Sequence, residues 1–412
     1  MARKHNASTA DGGKTSVNRR KFMAGAAALS FTVIKPELVR GTAANSKIRL
    51  GLVGCGGRGA WIAKLFNANG NYEIVAAADY FQDRVDAFGE NEEHKVPKAR
   101  RFTGLSCHKK MLAEKLDAVA IITPPYFHPQ EASDAVEAGM HVYIAKPIAV
   151  DVPGCHSIAA SAKDATAKKL CFLVDFQTRA NAFYIEAIKR VHNGDIGELC
   201  FGESSYITGR LATKAPPGTP EARLRNWVFD KALSGDIITE QNIHTLDVAS
   251  WIMNTTPICA SGTGGRKSRT DVGDCWDHFS LSFVYPNNVG VTFMSKQYKS
   301  YGSPGGIRNR MFGTKGTLEA QYGGEVLVRG EKFYRGGKTP QIYQEGAVNN
   351  IATFHKNITG GNFDNPTVPA SVRSNLVTIL GRTAAYSGQR IYWDKLIKST
   401  EKIDGRLKGL KI

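Results

Sequence analysis

Short apolar runs alternate with helix-compatible stretches between residues 48 and 178, and this rhythm is the strongest structural signal in the chain. The apolar runs, each a strand candidate, are 48–53, 73–78, 118–122, 141–144 and 170–176. Segments such as 130–138 and 153–168 separate them and suit helices. Such alternation predicts a parallel sheet with right-handed crossovers, which binds its ligands at the carboxyl ends of the strands.

The pattern changes after about residue 180. A predicted helix, 182–193, ends at Gly194, and longer segments with alternating polarity follow at 199–207, 278–285, 290–297 and 318–322. Alternation of this kind is typical of an antiparallel sheet with one covered face. Proline and glycine cluster in 214–220 and 301–306, which we expect to be loops. The chain is therefore predicted to be an α/β protein with domains at 45–178 and 179–412, preceded by a leader, 1–44.

The first strand candidate is followed by the glycine motif Gly54-Cys55-Gly56-Gly57-Arg58-Gly59. Gly54 permits a tight turn, Gly56 leaves room for a pyrophosphate, and Gly59 lets the next helix pack closely on the sheet. The phosphates would then face the unpaired N–H groups at the start of that helix. A glycine motif between strand and helix predicts a dinucleotide site to which 54, 56, 57, 58 and 59 all contribute.

Asp79 ends the second apolar run, about 20 residues beyond the motif, where a carboxylate binds the adenosine ribose. It repels a 2′-phosphate, so NAD is favoured over NADP, although nearby Arg84 could soften that preference. Asp79 could also cap a helix. Further cofactor contacts are expected from the segment after the fourth strand region, namely Thr123, Pro124 and His128.

The N-terminal segment resembles a twin-arginine export signal. Arg19 and Arg20 precede an Ala-rich apolar stretch, 24–34, which is too short to span a bilayer. Small residues at 42–44 offer a cleavage site. We therefore expect an exported protein, periplasmic or extracellular, that is a partner of the twin-arginine export machinery. A basic leader with an accidental arginine pair, on a cytoplasmic dehydrogenase, is the alternative.

Charge and cysteine usage narrow the class of protein further. The formal net charge is +17, but residues 1–47 contribute +7 of it, with nine Lys or Arg and two Asp or Glu. No block of basic residues or nucleic-acid motif follows, so we expect no nucleic-acid partner. The seven cysteines are widely spaced and contain no C-x-x-C, which indicates neither a disulfide framework nor a metal site.

Two segments carry candidate catalytic groups. One helix is predicted from about residue 235 to 253, which would place Glu240 and His244 four residues apart on one face. Such a pair can act in acid–base catalysis. Alternatively, the two residues form an ordinary surface pair, or His244 is a core histidine whose hydrogen bonds are satisfied by its own helix. Lys146 lies before a proline at a strand end, where burial would lower its pKa and let it move a substrate proton. Alone, it would more often be a solvated loop lysine.

Together these features resemble the Gfo/Idh/MocA oxidoreductases, which include glucose–fructose oxidoreductase and inositol dehydrogenase. The resemblance rests on the glycine motif, Thr123-Pro124, Lys146-Pro147 and the acid-x-x-x-His segment. It implies a Rossmann domain joined to an α/β domain with a large, mainly antiparallel open sheet, through which we expect a homo-oligomer. It also implies hydride transfer between a sugar or polyol carbon and nicotinamide.

The resemblance also implies roles for three residues. His244 is the first choice for the base, Lys146 would hold the same substrate oxygen and also contact the cofactor, and Glu240 would orient His244 or bind a neighbouring hydroxyl. Two positions depart from the family pattern. Ala145 stands where the family has a glutamate that contacts the cofactor ribose, and Glu240 replaces an aspartate. Arg179, Asn181, Trp227, Gln241 and Asn242 are candidate sugar contacts.

Three functions fit these features. The first is an NAD(P)-dependent oxidoreductase acting on a sugar, polyol or glycoside with a tightly bound cofactor that is recycled in place, because free NAD is scarce outside the cytoplasm. The second is a glycoside hydrolase or lyase that acts through transient oxidation, with Tyr206 or Asp277 as an extra base. The third is a non-catalytic sugar-binding protein on the same fold.

Overall fold

The computed structural model describes residues 47–412, which form one compact unit. The predicted leader, 1–44, lies outside the described residues. The first part of the described chain contains a six-stranded sheet in the order β3-β2-β1-β4-β5-β6, with all neighbours parallel. This order is that of a doubly wound dinucleotide-binding sheet, whose strand order reverses beside β1.

The elements of this first part alternate strictly between strand and helix. The strands are β1 Ile48–Val53, β2 Tyr72–Asp79, β3 Arg101–Thr103, β4 Ala118–Ile121, β5 His141–Ala145 and β6 Phe172–Asp175. The helices are α1 Gly57–Asn69, α2 Gln82–Glu90, α3 Cys107–Leu112, α4 His128–Glu137 and α5 Val152–Ala167. Because helices cover both faces of the sheet, its strands are apolar almost throughout, as in β4, whose four residues are all buried.

The second part is built on a nine-stranded sheet in the order β14-β13-β12-β11-β7-β10-β9-β8-β15. Its strands are β7 Leu199–Thr208, β8 Cys259–Gly265, β9 His278–Val284, β10 Gly290–Gln297, β11 Gly306–Gly313, β12 Gly316–Gln321, β13 Glu325–Gly330, β14 Tyr334–Lys338 and β15 Ile391–Tyr392. All neighbours are antiparallel except β7 and β10. The two-domain α/β fold predicted from the sequence is confirmed.

Helices cover the inner face of this sheet and connect it to the first part. They are α6 Ala182–His192, α7 Pro220–Arg225, α8 Lys231–Ser234, α9 Asp236–Glu240, α10 Ile243–Met253, α11 Ile342–Gly360, α12 Thr367–Ser387 and α13 Trp393–Leu396. Helix α11 packs on α1, and α12 packs on α5 and on β8. The second part therefore reaches back along both sides of the nucleotide-binding sheet.

The outer face of the large sheet carries exposed apolar side chains. Phe201 and Met294 are 53% and 55% exposed, and the ring of Phe201 stacks on that of Phe312 at 4.5 Å. Inward-facing neighbours such as Phe293 are buried. The sheet therefore has one covered and one open face, as its alternating pattern predicted.

Candidate functional site

The glycine motif forms a tight turn between β1 and α1. Gly54 has a φ of +94°, and a Cβ on it would lie 2.7 Å from the backbone of Ile122. A Cβ on Gly59 would lie 1.7 Å from the carbonyl oxygen of Gly54, so only glycine fits there. Gly57 has nothing within 4 Å of its would-be Cβ. The loop is thus closed on the protein side and open where a pyrophosphate would lie.

Asp79 ends β2 beside the glycine loop, and its carboxylate holds that loop in place. Its two oxygens accept hydrogen bonds from the backbone N–H groups of Cys55 and Phe81, at 2.8 and 2.9 Å. Burial raises the pKa of Asp79, although both hydrogen bonds favour the charged form. The Arg84 guanidinium lies 4.7 Å from the centre of the Phe81 ring, on the same side of the loop. Each carboxylate oxygen keeps a lone pair for a ribose hydroxyl.

His128 connects two loops at the carboxyl ends of β4 and β5. Its ring nitrogens lie 2.8 Å from the carbonyl oxygens of Thr123 and Pro147, and the residue is 1% exposed. Burial lowers the pKa of His128 to about 4, so the ring is neutral at neutral pH and donates to only one of the two carbonyls. The hydroxyl of Thr123 is hydrogen-bonded to buried Glu131. The predicted cofactor contacts Thr123 and His128 therefore hold this edge of the cleft in place.

Lys146 directly follows β5 and precedes Pro147 across a cis peptide bond. Its ammonium donates to the backbone carbonyl of Glu240 at 2.6 Å and lies 3.6 Å from the carboxylate of the same residue. Burial lowers the pKa of Lys146, and the Glu240 carboxylate works against that decrease. Lys146 therefore joins the nucleotide-binding sheet to the helices of the second part.

The single helix predicted over residues 235–253 is wrong. Helix α9 ends at Glu240 and α10 begins at Ile243, because the N–H groups of both Gln241 and Asn242 bind the carbonyl oxygen of Ile237. The backbone N–H of His244 donates to the carbonyl oxygen of Gln241 and not to that of Glu240. The carbonyl oxygen of Glu240 is thus left without a helical partner and accepts Lys146 instead.

His244 nevertheless lies in the same cleft as Lys146 and Glu240. Its ring is between those of Tyr206 and Tyr322, with centroid distances of 6.5 and 5.3 Å, and the residue is 8% exposed. Burial, together with the positive charges of Lys146 and Arg58, holds the pKa of His244 well below its usual 6.5. The imidazole is therefore neutral at neutral pH and can accept a proton.

Buried polar atoms without a partner gather in this cleft. Among residues 47–412 they include Glu240 Oε2, His244 Nδ1, both side-chain atoms of Asn242, the Tyr322 hydroxyl and Gln297 Oε1. Buried polar groups normally find hydrogen-bond partners, and exceptions point to a bound molecule or to function. The set contains donors and acceptors, which suits a ligand rich in hydroxyl groups.

Sequence reasoning missed two members of this set, Gln297 and Tyr322. Gln297 ends β10, where it donates to Gln241 at 2.5 Å, and Tyr322 directly follows β12. The sequence does contain a signal for Gln297. In the alternating pattern of β10 it falls on the same inward-facing side as buried Phe293 and Ser295, where a large polar side chain is unusual. Tyr322 had no comparable signal in its own segment.

Four of the five predicted sugar contacts make side-chain contacts within the protein, since Gln241 accepts from Gln297. Arg179 binds the buried carboxylate of Asp247 at 2.9 to 3.0 Å, and Asn181 caps the start of α6. Trp227 packs in an apolar cluster that includes Phe81. Only Gln241 and Asn242 lie in the turn next to Glu240.

Of the two candidate extra bases, Tyr206 lies in the cleft beside His244, and burial raises its pKa. Asp277 instead accepts three backbone N–H groups from the loop 267–269 and contacts His278. Burial disfavours the charged form of Asp277, but these hydrogen bonds outweigh it and lower the pKa. The carboxylate therefore holds this loop.

The part of the chain from residue 47 onward contains no group of three His, Cys, Asp or Glu side chains placed to hold a metal ion. Within the same residues, no helix has the length and apolar character needed to cross a membrane.

Comparison with known proteins gives two family matches along the chain. Residues 48–173 match the "Oxidoreductase family, NAD-binding Rossmann fold" model of GFO/IDH/MocA, and residues 184–319 match the GFO/IDH/MocA C-terminal domain. The inositol 2-dehydrogenase of Rhizobium meliloti is 26% identical over 276 residues, which are 66% of this chain and 76% of that protein.

Two further proteins are similar to this chain. The α-N-acetylgalactosaminidase of Shewanella oneidensis is 30% identical over 163 residues, but these are only 39% of this chain and 35% of that protein. A solved structure, the aldose-aldose oxidoreductase of Caulobacter crescentus in complex with glycerol, superposes with a TM-score of 0.66 at 19% identity and covers 84% of this chain and 99% of that one.

The two matched segments together span both parts of the fold described above, and they include the glycine loop, Lys146, Glu240 and His244. The chain therefore belongs to the GFO/IDH/MocA family of oxidoreductases, which confirms the family predicted from its motifs.

Proposed function

We propose that this oxidoreductase transfers a hydride between a secondary alcohol of a sugar or polyol and a nicotinamide cofactor. The observation that carries the proposal is the convergence of Lys146, Glu240 and His244 at the carboxyl end of β5, in a family whose Rossmann domain binds NAD. Ligands of this fold bind at that end of the sheet, beside the point where its strand order reverses.

The residues present fit a dinucleotide. The glycine loop is open at Gly57, the Asp79 carboxylate lies beside it, and Arg58 has a buried nitrogen, Nη1, without a partner. A bound nicotinamide supplies the acceptor or donor of the hydride. The protein must bind it, place the substrate carbon against it and move the hydroxyl proton.

The protonation states suit that proton transfer. Neutral His244 accepts the hydroxyl proton as the carbon loses its hydride, because its lowered pKa leaves the ring uncharged at neutral pH. The Lys146 ammonium, held on Glu240, stabilises the negative charge that develops on the same oxygen. The unpaired oxygen of Glu240 binds a neighbouring hydroxyl.

A substrate screen tests this proposal. Purified protein is incubated with NAD and a panel of inositols, aldoses and glycosides, and NADH formation is followed together with product analysis. We expect turnover with at least one polyhydroxylated compound, and loss of that turnover in His244→Ala with the cofactor still bound. Retained turnover in His244→Ala would contradict the assigned base. Binding of sugars without turnover in the unaltered protein would favour the non-catalytic alternative.

We further propose that NAD is preferred over NADP. Asp79 places a carboxylate beside the expected ribose position, although the Arg84 guanidinium lies on the same side of the loop. The measurement is the ratio of the dissociation constants for NADH and NADPH. An Asp79→Ser variant should shift the ratio towards NADPH, and an unchanged ratio would remove Asp79 from the selectivity.

A glycosidase that works by transient oxidation is the second candidate, favoured by the partial similarity to the Shewanella α-N-acetylgalactosaminidase. In that reaction a base removes the carbon-bound proton next to the oxidised centre. Tyr206, stacked beside His244, is the candidate in the right place, although burial raises its pKa and so disfavours the ionised form that a base requires. Release of the aglycone from a nitrophenyl glycoside without net NADH formation would establish this function. Net formation of NADH would support the dehydrogenase.

We also propose that the protein is exported. The leader with Arg19 and Arg20 supports secretion by the twin-arginine route, which cell fractionation tests directly. An exported enzyme would need a tightly held, recycled cofactor, and nucleotide released on heating the purified protein would support this.

The exposed Phe201 and Met294 on the open sheet support a homo-oligomer. A monomer by light scattering would contradict it.

A further inference from the structure

One ion pair at the nucleotide-binding end of the cleft has no role in the mechanism above. Arg58, within the glycine motif, donates from Nη2 to the carboxylate of Asp175 at 2.5 Å. Asp175 is the last residue of β6 and is fully buried. A fully buried carboxylate is costly unless other groups compensate it, so its surroundings show what it is kept for.

Asp175 lies directly beside the strand end that carries Lys146. In the parallel pairing of β5 with β6, Asp175 is the partner of Ala145, the residue before Lys146. The side chain of Ala145 has no polar group, so the carboxylate at this edge of the sheet comes from Asp175 on the neighbouring strand. Gln177 and Asn350 also donate to Asp175, at 3.0 and 2.8 Å, which fixes the orientation of its oxygens.

Arg58 is held on its other sides by aromatic rings. Its guanidinium carbon lies 4.7 Å from the ring centres of both Trp61 and Tyr343, and these two rings stack on each other at 4.6 Å. Trp61 belongs to α1 and Tyr343 to α11, so both parts of the fold contribute to holding the side chain. Because Nη2 is bonded to Asp175 and the guanidinium plane lies against the two rings, Nη1 can adopt few orientations.

Nη1 of Arg58 is buried and has no hydrogen-bond partner. A buried nitrogen without a partner is costly even though the Arg58 side chain as a whole is only partly buried, and it points to an acceptor supplied by a bound molecule. The positive charge of Arg58 also acts on Lys146 and His244, which places it in the same cleft. The cofactor would cross this region between the glycine loop and Lys146.

We propose that Asp175 is a positioning residue that acts through Arg58, and that Arg58 Nη1 binds an oxygen of the cofactor's nicotinamide half, on its ribose or the adjoining phosphate. This inference rests on the proposed function, since it requires a nicotinamide cofactor. Asp175 itself touches no ligand. It fixes the guanidinium, and the guanidinium fixes the cofactor next to Lys146.

The test is a double-mutant cycle on cofactor affinity, read by fluorescence titration with NADH on protein first depleted of nucleotide. We expect Arg58→Met and Asp175→Asn each to weaken binding by about tenfold, the typical effect of losing one hydrogen bond to a charged group. The double variant should bind no more weakly than Arg58→Met, because Asp175 acts through Arg58. Wild-type affinity in Asp175→Asn, or losses that multiply, would overturn the proposal.

Two further variants keep the test decisive. Arg58→Lys keeps the charge near Asp175 but has no second nitrogen, so it should lose affinity like Arg58→Met, and wild-type affinity in it would overturn the Nη1 contact. Asp195→Asn is the matched control, because Asp195 is a buried carboxylate paired with Lys332 at 2.9 Å outside the cleft, and it should bind NADH normally. Should unaltered protein bind neither NADH nor NADPH, the proposed function itself fails.

Discussion

The two sides of the cleft differ in how their polar groups are satisfied. On the nucleotide-binding side, Asp79, Thr123 and His128 have partners within the protein, and these partners hold the loops at the strand ends. On the side of the large sheet, His244 and Asn242 have buried polar atoms with no partner. Apart from Arg58 Nη1, the groups named on the nucleotide side are paired before a ligand arrives, whereas those named on the sheet side are not.

This difference separates positioning from chemistry. A buried unpaired polar group costs about 1 to 3 kcal/mol, so a cluster of them persists where a ligand or a reaction needs them. Groups that already have partners within the protein hold its shape and change little when a ligand binds. We therefore expect variants of the unpaired groups to affect turnover, and variants of the paired groups Asp79, Thr123 and His128 to affect binding or stability.

The largest expected effect is on turnover in His244→Ala. Loss of a general base typically lowers the rate by about 100-fold to 10,000-fold, and NADH affinity should be unchanged because the proposed role of His244 is proton transfer from the substrate, not cofactor binding. Steady-state kinetics and fluorescence titration measure the two quantities. His156→Ala, at an exposed position of helix α5, is the control and should keep full activity. Parallel losses in rate and cofactor affinity would break the division between the two sides.

Lys146→Met should lower kcat/KM by about 100-fold and should also move its pH profile. The Lys146 charge helps to hold the pKa of His244 down, so its removal raises that pKa and shifts the acid limb of the profile to higher pH. The unaltered enzyme should keep its activity down to pH values below 6.5, since the base stays neutral there. An acid limb that does not move in Lys146→Met would contradict the coupling of the two groups.

Glu240→Gln should have a smaller effect, about tenfold on kcat/KM. Because the Glu240 carboxylate raises the pKa of Lys146 against the effect of burial, its neutralisation should lower that pKa. The alkaline limb of the pH profile should then move to lower pH. Glu240→Asp, which keeps the charge, serves as the control, and an identical shift in both variants would rule out this electrostatic explanation.

The smallest effect is expected on the nucleotide side, in Glu131→Gln. Burial raises the pKa of Glu131 from 4.5 to about 8, so the folded protein holds its proton over a range where the unfolded chain loses it. The stabilisation from Glu131 is full below 4.5 and is lost as the pH rises to about 8, by about 1.4 kcal/mol per pH unit. Chemical unfolding across this range should show wild type losing stability relative to Glu131→Gln, with NADH affinity unaffected. A constant difference would show that Glu131 is ionised in the folded protein.

Most of the first part of the fold was predictable from sequence. Its strands are buried on both faces, so each appears as a continuous apolar run, and the five predicted runs match β1, β2, β4, β5 and β6 to within two residues. The missed strand, β3, has three residues and lies at the sheet edge, where burial leaves no such signature. The second part was harder, because strands such as β11 carry arginines on the open face and glycines at both ends.

The site was predictable where one short motif places a residue and unpredictable where tertiary contacts do. The glycine loop, Asp79 and Lys146 lie at strand ends, which sequence patterns locate. The break between α9 and α10 depends on two N–H groups sharing one carbonyl, and no breaking residue such as proline marks it. Tyr322 reaches the cleft from β12, on another element, and only the folded chain shows this.

A structure of the protein with bound NADH would show whether Lys146 and His244 face the reacting carbon of the cofactor. We predict that the nicotinamide ring lies in the cleft between the glycine loop and α10, with C4 facing Lys146 and His244. The space between should admit one substrate carbon at about 3 to 3.5 Å from C4, the separation needed for reaction. A nicotinamide ring bound elsewhere, or one whose C4 faces neither side chain, would rule out the proposed hydride transfer at this site.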